Sequence, residues 1–100
     1  MVKHVILWKL KETLGEDEKK KILEDMKRNL EGLKGKISGL EDINIIINPL
    51  GSSNADVMLD SVLSDKEALA GYQSHPEHVN VANTYVRPFT EIRLCMDYEV

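Results

Sequence analysis

Residues 2–10 read VKHVILWKL. β-branched and aromatic types dominate, with His4, Ile6, Trp8 and Leu10 on one side of an extended chain and Val5 and Leu7 on the other. Such a strand needs cover on both faces, and the rest of the chain must supply it. Downstream, Thr13 and Glu16 have capping-box spacing. Ile22, Met26, Leu30 and Leu33 then recur at helical intervals, widened by Leu23. The spacing predicts an amphipathic helix from about Glu16 to Lys34. On its outer face Glu16 precedes Lys20, Asp17 precedes Lys21 and Glu24 precedes Arg28, each acid four residues before its base. The lysines at 19–21 therefore read as a solvated face and not as a recognition patch.

Gly32, Gly35 and Gly39 interrupt the helical pattern, and LEDINIIIN predicts a second strand from about Glu41 to Asn48. NPLGSSNAD is a loop by composition, and DVMLDSVL after it pairs most simply with the second strand as an antiparallel hairpin. Ser64 with Glu67 opens a short helix carrying Ala68, Leu69 and Tyr72. Ser74 with Glu77, and Pro76 at one of the first helical positions, open another that runs to about Val86 before Pro88. TEIRLCMDY, 90–98, alternates cleanly: Ile92, Leu94, Met96 and Tyr98 face one way, and Arg93, Cys95 and Asp97 the other. The order β-α-β-β-α-α-β defines an α+β, ferredoxin-like plan, a four-stranded antiparallel sheet with helices on one side. The bare side still carries apolar residues, and a second copy of the same sheet is the simplest cover. The expectation is a homodimer joined through its sheet faces, a dimeric α/β barrel.

One hundred residues make a single domain, 1–100, because two cores of half that length would each be too small to offset chain entropy. A net charge of −4 argues against nucleic acid as a partner. The apolar runs are far shorter than a membrane span needs. Lys9 and Lys11 interrupt the N-terminal apolar patch, so no signal peptide is expected, and the expected location is the cytoplasm. The single cysteine, Cys95, excludes an internal disulfide and reads as a small core residue.

The chemistry concentrates in GYQSHPEH, 71–78, which holds one of the three tyrosines and two of the three histidines. Tyr72 near the end of one helix and His78 in the first turn of the next are candidates to point into a cavity between helices and sheet. His4 and Asp97 could reach that cavity from the first and last strands. A neutral imidazole can take a proton beside a carbonyl, and a phenol can hold the resulting oxyanion. The same residues have a plainer reading: His75 caps the helix that Pro76 opens, His78 and His4 bond to a backbone carbonyl or to Asp97, and Asp97 orients a histidine. Trp8 and Met26 are core by spacing. His75, Glu77 and His78 fit no zinc spacing, and no glycine-rich phosphate loop, Ser-His-Asp order or Cys-x-x-Cys is present, so no metal or cofactor is expected.

VKHVILWKLK at the start, GYQSHPEHVNV before the last helix and CMDYE at the end resemble, in order and spacing, the stress-responsive dimeric α/β-barrel (Dabb) family. The resemblance covers nearly the whole chain. It implies a homodimer whose two sheets face each other with the helices outside. Most members of that family are known by association with stress. A plant branch includes a polyketide cyclase that closes a ring by aldol condensation, and there the matching residues imply chemistry for Tyr72 and His78 and a pocket-facing role for His4. That branch has a richly aromatic helix along its pocket, where this chain reads KKKILEDMKRNL. Two functions remain open: a homodimer that binds a small apolar or aromatic metabolite, and a cofactor-free cyclase or isomerase with His78 as base and Tyr72 as oxyanion partner.

Overall fold

The computed structural model describes all residues, 1–100. Its elements are β1 (Val2–Leu10), α1 (Glu16–Glu31), β2 (Leu40–Ile46), β3 (Val57–Leu63), α2 (Lys66–Ser74), α3 (Pro76–Val81), a π-helical turn over Ala82–Val86, and β4 (Thr90–Glu99). The sheet is antiparallel throughout, in the order β2-β3-β1-β4. This is the ferredoxin-like arrangement, with β1 in the interior.

Register settles which side chains share a face. Trp8 lies opposite Val57 and Arg93, Ile6 opposite Leu59 and Cys95, and His4 opposite Ser61 and Asp97. That face turns toward the helices, and β1 and β3 bury Ile6, Trp8, Val57 and Leu59 there with Ile22, Met26 and Leu30 of α1. Each fully buried side chain of this kind contributes about 1.5–3 kcal/mol relative to exposure. On the other face Leu7 meets Met58 and Leu94, and Val5 meets Asp60 and Met96. No element of the chain covers it: Leu94 is 64% and Met96 68% exposed. Cys95, expected in the core, is exposed, because β4 is an edge strand reaching beyond the helical layer.

α1 also closes the opposite edge. The Glu31 carboxylate accepts the Ile45 N–H at 2.9 Å, and the Lys27 ammonium donates to the Ile45 carbonyl at 2.7 Å and to Glu31 at 2.8 Å. The two side chains thus occupy backbone groups that an edge strand leaves unpaired. The outer ion pairs of α1 are not the three that acid-before-base spacing predicts. Asp25 gathers Lys21 and Arg28, with the base on either side of it. The helix ends at Glu31 and not at Lys34: beyond it the Leu33 and Lys34 N–H groups bond three residues back, to Leu30 and Glu31, and Gly35 follows at φ +87°. At Gly39 a Cβ would stand 2.6 Å from the Cβ of Ala68, so this connection lies directly on α2.

All three helix starts sit off the serine or threonine that the sequence nominates. Gly15 caps α1, its N–H bonded to Glu18, in place of Thr13. Asp65 caps α2, accepting from the Ala68 N–H at 2.7 Å, in place of Ser64. At α3 the cap is His75, whose Nδ1 accepts the Glu77 N–H at 3.1 Å. Proline explains this last shift. It disfavours helical backbone in the residue before it, and His75 accordingly has φ −64° and ψ 133°. Ser74 is left as the last residue of α2, with its hydroxyl bonded back to the Ala70 carbonyl at 3.2 Å. His75→Ala is therefore expected to lower stability by about 0.5–2 kcal/mol, the range for losing a cap, while Ser74→Ala costs less. Urea midpoints of the two variants check the order.

Candidate functional site

The break at His75 turns the chain between α2 and α3, and two of the cluster's side chains meet across it. The rings of Tyr72 and His78 lie 4.4 Å apart at 42°, and the His4 ring meets Tyr72 edge-on at 6.0 Å. Tyr72 is thus held between two imidazoles, fully buried, and its hydroxyl finds no partner among the protein's own groups. Burial pushes the phenol well above its ordinary range, so it remains a proton-bearing donor.

His78 Nδ1 lies 3.2 Å from the Gln73 carbonyl, which only a protonated Nδ1 can bond. Nε2 therefore keeps a free lone pair. Burial holds the His78 pKa below its ordinary value against the opposing pull of that carbonyl, with Arg87, His4 and Arg93 adding repulsion. The ring is a neutral base at neutral pH. His4, buried on β1, lies with Nδ1 2.5 Å from the Asp97 carboxylate. Donation from Nδ1 to Asp97 orients this second imidazole as well.

A cavity of about 70 Å³ adjoins these rings. The sheet contributes His4, Ile6, Trp8 and Leu59, and α1 contributes Leu30 alone. His78, Ala82 and Val86 close the helical side, and Gln73, Arg87, Thr90 and Arg93 complete the lining. Of the four candidate residues, His78 and His4 face this space. Tyr72 is packed against both rings without lining it, and Asp97 meets it only through His4, contrary to the expectation for both. The Tyr72 ring goes into the core, packed between the imidazoles of His4 and His78.

Arg87 and Arg93 were not singled out by the sequence. Arg93 is placed by strand alternation on the helix side of β4, a side known only once β4 is paired with β1. Arg87 is placed by the π-turn: its N–H bonds the carbonyl of Ala82, five residues back, at 2.9 Å. The wider turn sets Ala82 and Val86 on the cavity and Arg87 beside it, a displacement that regular helical spacing cannot forecast.

The donors that could hold a metal are His4, Cys95 and Asp97, whose ligand atoms lie within 4.8 Å of one another. The His4 to Asp97 separation is that of a hydrogen bond, well under the roughly 3.3 Å between two ligands of a tetrahedral ion. Partial desolvation, reinforced by the Asp97 carboxylate, pushes the Cys95 thiol up and away from the thiolate a metal requires. The trio therefore reads as a hydrogen-bonded cluster. The largest hollow, about 360 Å³, lies elsewhere, at the start of α1 between Lys20, Glu24 and Asn48, and has no histidine. No helix is long and apolar enough to cross a membrane.

The His78 environment gives stability a pH dependence. As pH falls through about 6.5 the unfolded chain takes up a proton that the folded site resists. Stability is therefore full above about 6.5 and is lost as pH falls through the lowered His78 value. Asp25, Asp42 and Glu99, held low by hydrogen bonds to lysines, and Glu31, held low by Lys27 and the Ile45 N–H against its partial burial, act only at more acid pH. Urea midpoints from about pH 7 to about pH 5 should decline in the wild type, and His78→Gln should flatten that decline.

An antiparallel four-stranded sheet in the order β2-β3-β1-β4 with helices on one face defines the ferredoxin-like class. The chain belongs to the stress responsive A/B barrel domain family, Dabb, whose pattern it matches over residues 2–100. It is similar to a dimeric protein of unknown function from Bacteroides fragilis, 30% identical over 99% of this chain and 95% of that one, with a TM-score of 0.92. An Arabidopsis thaliana protein is 22% identical over 100% of this chain and 95% of that one, with a TM-score of 0.80. A hydroxynitrile lyase from Passiflora edulis shares the fold at 12% identity and a TM-score of 0.77, over 97% of this chain and 90% of that one. No curated protein matches the chain.

Proposed function

We propose that the protein is a homodimer joined through its open sheet faces, and that each chain binds a small molecule in the cavity beside His78. The uncovered apolar face supports the first half, together with the description of the Bacteroides fragilis relative as dimeric. One observation carries the second: a neutral imidazole, its tautomer held by the Gln73 carbonyl and its Nε2 unprotonated, lines a cavity edged by donor groups. The ligand is smaller and more polar than the apolar or aromatic metabolite expected from the sequence. A benzene ring needs a cavity of about 150 Å³, roughly twice this one.

Thermal shifts with a panel of small carbonyl compounds and acids test the reading, since a ligand at 100 times its Kd adds about 2.7 kcal/mol. His78→Ala is expected to abolish any such response at modest cost in fold, because the ring is only partly buried and its one partner is a backbone carbonyl. A response that survives in His78→Ala would place the ligand elsewhere.

A second reading is proton transfer at this site. It is supported by the neutral His78 on the cavity wall. The fold does not choose between binding and catalysis. Exchange of ketone α-protons into deuterated water, followed by NMR, does: catalysed exchange lost in His78→Ala marks an enzyme, and no exchange from a bound ketone marks a binder.

A further inference from the structure

We propose, on that reading of the His78 cavity, that its ligand is a short-chain carboxylate whose anionic end is held at the rim by Arg87 and Arg93. The chain has three arginines, and they differ in partners. Arg28 pairs with Asp25 at 2.6 Å. None of the ion pairs in the fold includes Arg87 or Arg93. Arg87 donates to the neutral amide oxygen of Asn83, and both guanidiniums are exposed where they line the cavity, which places them at its mouth.

Charge makes this pairing informative. The protein has 17 acidic and 13 basic side chains, so a cation without an acid beside it is against the prevailing balance. Four larger hollows elsewhere on the chain each have at least one carboxylate residue in their walls, yet the twelve residues lining the His78 cavity include none. Asp97, the nearest acid in the cluster, is committed to His4. Arg93 lies beside the neutral Cys95 thiol, so both guanidiniums of the rim lack an acid, and their planar forks match a carboxylate with paired hydrogen bonds. Both also act on the His78 ring, which places that ring within their field. Gln73 and Thr90 add donors to the same rim. The volume limits the remainder of the ligand to a few heavy atoms, which the free Nε2 of His78 would meet at the inner end.

Pyruvate and its neutral isostere pyruvamide are suitable probes, with the three histidine Hε1 resonances as reporters in the intact protein. Pyruvate is expected to shift the His78 signal and leave that of His75, at the helix cap, unmoved. Pyruvamide should bind about tenfold more weakly, the scale of losing charge-assisted hydrogen bonds. Arg87→Gln and Arg93→Gln should each weaken pyruvate by about tenfold and pyruvamide, which keeps only a neutral acceptor at that end, by much less. Both side chains are exposed, and unchanged circular dichroism will show that the variants fold. Equal affinity for the two probes, or pyruvate binding indifferent to both substitutions, overturns the carboxylate assignment while leaving the cavity as a binding site. If neither probe moves His78, the assignment fails together with the site reading beneath it.

Discussion

Leu94→Asp is expected to convert a species sedimenting near twice the chain mass of 11.3 kDa into one sedimenting at that mass, with the far-ultraviolet spectrum unchanged. Leu94 lies opposite Leu7 near the middle of the open face, with Ile92 and Met96 alternating beside it on β4 and Met58 beyond Leu7 on β3. At 64% exposure it supports nothing in its own chain, so the carboxylate costs the isolated fold little. In a face-to-face pairing the same carboxylate would be desolvated among apolar side chains, which costs several kcal/mol without a partner charge. The other end of the face is polar: Lys3 pairs with Asp60 at 2.5 Å, and Asn44 lies opposite Asp60 on β2. A charge added there should disturb assembly less. A wild-type chain that sediments at 11.3 kDa at micromolar concentration refutes the sheet-to-sheet dimer.

Tyr72 separates packing from chemistry. Tyr72→Ala is expected to cost about 3–5 kcal/mol, as for other large buried aromatics, because the ring fills the space between His4 and His78. Against a total of about 5–15 kcal/mol for a domain, that is enough to unfold much of the protein on warming. Tyr72→Phe should do the reverse. It keeps the ring and removes a buried hydroxyl that no protein group satisfies, so stability should rise by about 1 kcal/mol or more. If the hydroxyl serves a ligand, the Phe variant will be the more stable protein and the poorer binder. Loss of stability in Tyr72→Phe would show instead that the hydroxyl has a structural partner, and would remove the phenol from the proposed chemistry.

Which parts of the site could be read in advance follows from the range of the forces involved. His75 was legible as a cap because capping is local, needing only the proline after it and the N–H groups of the next turn. His78 and Ala82, four residues apart on one helical face, both line the cavity. Tyr72 was legible as a residue of α2, but whether its ring lines a cavity or fills the core depends on how closely α2 approaches the sheet. Asp97 was legible as a residue that orients a histidine; that it meets His4 follows from a cross-strand register spanning nearly the whole sequence. Arg87 stayed invisible because the π-turn that carries it has no residue signature of its own.

The sequence by itself determined the elements, their order and the two-sided apolar character of β1 and β4, because strand alternation and helical periodicity are written over a few neighbouring residues. It also determined that α2 and α3 are separate helices, since Pro76 forces His75 out of helical backbone wherever the segment lies. Tertiary structure alone decided the rest: that the His4, Tyr72 and His78 rings pack together, that the cavity beside them is about 70 Å³, and that its lining carries two arginines and no acid. Those features depend on how segments far apart in the chain come to lie against one another, and so on sheet register, on the closeness of helix to sheet and on one extra residue in a helical turn. Shifting any of these by a single residue leaves the local pattern intact and changes which side chains meet.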